Sequence, residues 1–141
     1  MKLSHLIFST TAMLLAENTI AAGAHKGHNH DDKQNKTHAH EVKAMYGGIV
    51  TEMNDINYEL IAKPDSITIY ISDHGKPVDT KGATATITLL SSSDKTDVML
   101  TPAGENKLAA KGVFKTDAGT KAIAKITLAG KPLESIRFTL K

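Results

Sequence analysis

An all-β fold, an antiparallel immunoglobulin-like sandwich of about seven to eight strands, is predicted for residues 44–141. Three observations carry the prediction. Apolar residues recur at every second position, as in Ile67-Thr68-Ile69-Tyr70-Ile71-Ser72 and Ala83-Thr84-Ala85-Thr86-Ile87-Thr88-Leu89, the pattern of a strand with one buried face. Turn-forming clusters interrupt these runs: Pro64-Asp65, Asp73-His74-Gly75-Lys76-Pro77, Ser91-Ser92-Ser93-Asp94, Pro102-Ala103-Gly104-Glu105-Asn106, Asp117-Ala118-Gly119 and Gly130-Lys131-Pro132. No segment combines a helical apolar period with a cap, so the chain offers no crossover helices for a parallel sheet.

In chain order, residues 1–24 read as a secretory signal peptide. Lys2 and His5 precede the apolar run Leu6 to Ala16, and the small residues Ala21, Ala22, Gly23 and Ala24 follow. The run is too short to span a bilayer, which takes about 20 apolar residues. Cleavage after Ala24 leaves His25 first; cleavage after Ala22 is the alternative. The expected destination is the periplasm, with no membrane insertion once the signal is removed.

Residues 25–43 read as a disordered His-rich tether. The stretch His25 to Glu41 holds five of the seven histidines and no large apolar residue. So polar a segment buries too little surface to offset the entropy of ordering its backbone. Its candidate metal ligands are His25, His28, His30, Asp31, Asp32, His38, His40 and Glu41. Neutral imidazoles suit zinc, copper, nickel and cobalt, and carboxylates complete a coordination sphere. The pairs His28 with His30 and His38 with His40 meet by closing a loop of about ten residues at modest entropic cost. The expected ion is an exchangeable divalent transition metal.

The strands follow. Ile49 to Met53 is the first. Tyr58, Leu60 and Ala62 then share a face, as do Ile67, Ile69 and Ile71, Ala83 to Leu89 at alternate positions, Val98 with Leu100, and Leu108 with Ala110. Ala122, Ala124, Ile126 and Leu128, then Ile136, Phe138 and Leu140, complete the set. Met45, Met53 and Met99 are too far apart for a copper(I) methionine motif and read as ordinary packing.

Several function classes fall away on composition. The chain has no cysteine, which excludes disulfides, thiolate metal sites and a cysteine nucleophile. A formal net charge of +2, with Lys interleaved among Asp and Glu, does not make a nucleic-acid surface, and aromatic residues are 4% of the chain. No nucleophile elbow, metalloprotease motif or phosphate loop is present, so a binding role is expected rather than catalysis.

His74 is the one histidine within the predicted sandwich. Beside Asp73 in a turn, it reads as a solvated turn residue or as a folded anchor for metal brought by the tether.

The segments Gly47-Gly48-Ile49-Val50, Tyr58-Glu59-Leu60-Ile61-Ala62-Lys63-Pro64-Asp65, Asp73-His74-Gly75-Lys76-Pro77-Val78 and Leu100-Thr101-Pro102-Ala103-Gly104-Glu105-Asn106 resemble a group of small exported proteins of Gram-negative bacteria. Members are often encoded beside heavy-metal efflux systems of the resistance-nodulation-division type. The family pattern opens His-Gly-Gly, and here Tyr46 stands in place of that histidine. The resemblance implies the setting of an efflux pump but no mechanism; with the histidine-rich stretch, the expected function is a metal-binding accessory protein, a buffer or chaperone acting near such a pump. The alternative is an interaction module that docks on a periplasmic efflux adaptor through an exposed strand edge, with the histidine-rich segment serving only as a solvated linker.

Overall fold

The computed structural model describes residues 42–141. The predicted signal peptide and all but the last residues of the predicted tether lie outside them. Nine strands form: β1 Ile49–Met53, β2 Ile56–Lys63, β3 Ser66–Asp73, β4 Lys76–Pro77, β5 Thr84–Leu90, β6 Lys95–Pro102, β7 Lys107–Lys111, β8 Lys121–Thr127 and β9 Leu133–Thr139. There is no helix among the described residues.

Every strand pairing is antiparallel. One sheet runs β1-β2-β3-β7, with β4 on the edge of β3, and the other runs β6-β5-β8-β9. β6 joins them: its Leu100 pairs with Ala85 of β5, and the next residue, Thr101, pairs with Ala109 of β7. At the far ends of this path the Thr51 hydroxyl donates to the Arg137 carbonyl at 3.1 Å, so β1 lies beside β9 and the sandwich nearly closes. The predicted all-β antiparallel sandwich is observed, with nine strands where about seven to eight were expected and with β6 passing from one sheet to the other.

The core is the set of alternating residues picked out by period. Ile67, Ile69, Ile71, Ile87, Leu108 and Ile136 are fully enclosed, together with Leu60, Leu100 and Ile126, and Phe138 is buried beside them. Burying each such side chain contributes about 1.5–3 kcal/mol. Ala122 and Ala124 on β8 are also fully buried.

Two tight turns set one end of the sandwich. Asn54 and Asp55 have φ of 50° and 64°, and His74 and Gly75 have 47° and 78°. Two successive left-handed residues make the two-residue hairpin turn whose twist matches its strands. The sequence placed Lys76 and Pro77 in the second turn. They instead form β4, because the turn ends at Gly75 and Lys76 pairs back with Asp73 and Pro77 with Ser72; an edge strand tolerates proline.

The methionines correct the packing expectation in part. Met53 packs against the core, but Met45 is 54% exposed and Met99 74% exposed. Met99 pairs with Thr86 in the outward register of β5 and β6, and Met45 precedes the first strand.

Candidate functional site

The site is built where the two tight turns meet the segment entering β1. Directly opposite one another, Glu52 of β1, Asn57 of β2 and Ser72 of β3 form a row on the outer face of the first sheet. Residues 45–48 lie against this face at Glu59 and Tyr70 before the chain enters β1. Lys43 and Met45 from that entry segment, with Glu52, Asp55, Asn57, His74 and Gly75, line a cleft of about 340 Å³.

Glu59 fixes the entry segment. Its Oε1 accepts the backbone N–H groups of Tyr46 at 2.8 Å and Gly48 at 2.7 Å, and its Oε2 accepts that of Met45 at 2.8 Å. The side chain is buried beneath this backbone. A carboxylate taken out of water costs free energy unless its lone pairs are filled, and these amides fill them. Gly48 allows the approach: a Cβ there would lie 2.5 Å from the Leu60 carbonyl oxygen. Tyr46 adds a second hold. Its ring stacks on Tyr70, and its hydroxyl accepts from the Asn106 side-chain amide at 3.3 Å.

His74 lies at the turn between β3 and β4, with its Nδ1 2.5 Å from Asp73 Oδ1. The bond to Asp73 and that carboxylate's charge, aided by Asp55 and Glu52, raise the imidazole above its ordinary pKa. In the neutral ring, an Nδ1–H donated to Asp73 puts the lone pair on Nε2. A carboxylate orienting the second nitrogen in this way is the usual companion of a metal-binding imidazole. In the same cleft, the Asn57 side-chain oxygen is buried and accepts no hydrogen bond.

Among the described residues, no group of three or more His, Asp or Glu side chains converges closely enough to hold a metal ion. His74 and the cleft residues do not by themselves make such a group. The other predicted ligands, His25, His28, His30, Asp31, Asp32, His38, His40 and Glu41, lie outside the described residues.

Three features escaped the sequence reading. Glu59 alternates with Tyr58 and Leu60 and so reads as an exposed strand residue; the only cue to its cover was Gly47-Gly48 just before β1. Asn57 carried no motif. The buried Tyr58 hydroxyl donates to Glu134 Oε2, and Glu134 Oε1 accepts from Asn54 at 3.0 Å. This pairing ties β2 and the first turn to β9 across a long sequence separation.

No family model matches the chain, and no curated protein matches it. A solved structure described as "Crystal structure of Br derivative BhCBM56" is similar at 12% identity, over 65% of this chain and 99% of that one, with a TM-score of 0.40.

Proposed function

We propose that this protein is an exported, periplasmic accessory protein that binds divalent transition metal reversibly, as a buffer or chaperone near a heavy-metal efflux pump. Its role is binding rather than catalysis. The histidine-rich stretch collects zinc, copper, nickel or cobalt, and the cleft around His74 receives the ion. The observation that carries this reading is the placement of the entry segment. Lys43 and Met45 line the same cleft as His74, and His40 precedes Lys43 by three positions, a reach of at most about 10 Å.

The donor types fit. His74 offers an imidazole oriented by Asp73, and Glu52 and Asp55 offer carboxylates, donors that suit a divalent ion. An incomplete folded set finished by imidazoles from the histidine-rich stretch makes an exchangeable site, since ordering that stretch costs affinity. Calorimetry of the mature chain with zinc, copper(II), nickel and cobalt tests the reading. Binding of at least one ion at neutral pH, weakened in a His38→Ala/His40→Ala variant, is expected. Absence of binding by all of them overturns it.

A further inference from the structure

Two surfaces of the described residues differ in charge. Glu52, Asp55 and Asp73 gather at the cleft end, whereas the outward face of the second sheet is basic. Lys121 and Lys125 of β8 and Arg137 of β9 are exposed there. Register places them in one field: Lys125 lies between Thr86 and Ser135, and Arg137 is opposite Ile123. The β5, β6, β8 and β9 strands carry two acids, and both are engaged. Asp97 accepts from the Thr88 hydroxyl at 2.5 Å and pairs with Lys95 at 3.7 Å. Glu134 is taken by Tyr58 and Asn54.

This face also carries apolar surface that nothing covers among the described residues. Met99 on one flanking strand is 74% exposed and Leu133 on the other is 61% exposed. A groove of about 370 Å³ runs between them, floored by Ala85 and Thr86. A second, of about 530 Å³, has Leu90 and Ile123 on its floor and Lys121 and Arg137 at its rim. Apolar ground rimmed by exposed cations is the composition of a docking surface for a partner of opposite charge. On the first sheet, residues 45–48 lie over Glu59 and Tyr70, whereas Thr86, Lys125, Ser135 and Arg137 on the second are exposed among the described residues.

The geometry points to an acidic surface of another protein as the occupant of this face. A membrane is the poorer fit: Met99 on β6 and Leu133 on β9 are single exposed apolar residues with β5 and β8 between their strands, and they form no continuous apolar cluster to insert between lipids. The acidic partner would meet Lys125 and Arg137 at the centre, with Met99 and Leu133 bordering the contact. Docking here leaves the cleft at His74 open to metal, so the two activities are separable.

Photo-cross-linking tests this. A benzophenone side chain is placed at Thr86 or Ser135 of the full chain, expressed in the cell that makes it, with and without chelator, and adducts are mapped by mass spectrometry. The expected result is one protein, joined through a peptide rich in Asp and Glu, regardless of chelator. Lys125→Glu/Arg137→Glu should cut the adduct about tenfold or more, and reversing the partner's acids to Lys should restore it. Neither side chain makes a hydrogen bond or ion pair among the described residues, so the variant should unfold like the parent, checked by circular dichroism. No adduct, an adduct to lipid, to this chain or to an uncharged peptide, or indifference to the charge reversal overturns the proposal. Metal binding measured on the same preparations stands or falls separately.

Discussion

The ring of Tyr46 lies flat against that of Tyr70, with centroids 3.8 Å apart and planes 8° from parallel. This contact, with the Glu59 carboxylate beneath the neighbouring backbone, sets the path by which the chain enters the sandwich. Replacing Glu59 by Gln removes an acceptor and turns an amide N–H₂ toward backbone donors. The variant should lose about 1–3 kcal/mol, read from the midpoint of urea unfolding. Met45, once released, should also become more accessible to peroxide oxidation.

Gly48 and Gly47 separate space from conformation. Gly48→Ala drives a Cβ to 2.5 Å from the Leu60 carbonyl oxygen and 2.9 Å from Glu59 Cγ, which should cost about 1–3 kcal/mol. Gly47→Ala meets nothing within 4 Å but must adopt φ of +79°, at a cost of about 1–2 kcal/mol. Adding Gly48→Ala to Glu59→Gln should cost less than the sum of the two, because both release the same segment. Thermal unfolding of the single and double variants checks this.

Tyr58 links stability to alkaline pH. Burial, then the bond to Glu134 and that carboxylate's charge, push its phenol well above the ordinary value. A folded pKa above the unfolded one gives stability that is full below about pH 10 and falls as pH rises through the folded value. Urea midpoints should therefore decline above about pH 10 in the parent. The decline should be shallower in Tyr58→Phe, which should also lose about 1 kcal/mol at neutral pH.

His74 should hold its proton to higher pH than an ordinary imidazole, because Asp73 stabilises the charged ring. A nuclear magnetic resonance titration should give a midpoint above about 6.5, and Asp73→Asn should lower it. Protons compete with metal at a ligand nitrogen, so the contribution of His74 to metal binding should disappear at a higher pH than that of unpaired histidines. A midpoint indifferent to Asp73→Asn contradicts this account.

How much of this was legible depended on whether a residue's role came from its own strand or from a distant one. Ile67, Ile69 and Ile71 announce a buried face by spacing alone, and the turn at His74-Gly75 follows from local backbone chemistry. The passage of β6 between sheets is not written in β6, since Leu100 and Thr101 find different partner strands. The same holds for the site. His74 beside Asp73 was visible as a local pair, but its cleft takes Lys43 and Met45 from the entry segment and Asp55 from another hairpin. The burial of Glu59 had no local signal, because its cover comes from residues 45–48, which have no strand period of their own.

Deleting residues 25–41 removes the histidine-rich stretch and leaves Met45, Tyr46 and Gly48 to bond Glu59. Apo thermal unfolding should then shift little, while most metal binding is lost. Full stoichiometry in the truncated chain would move the site to the cleft of His74 alone. A large loss of stability would mean that the deleted residues pack on the sandwich.

The most direct test of the central claim is paramagnetic broadening by copper(II), followed in the histidine resonances of the mature chain at neutral pH. The account predicts that the imidazole signals of the histidine-rich stretch broaden at substoichiometric metal. The signal of His74 should follow in the parent but not in a His38→Ala/His40→Ala variant, and Ile87 in the core should stay sharp throughout. Histidine signals that all remain sharp as copper is added, or a His74 that responds equally without His38 and His40, would contradict it.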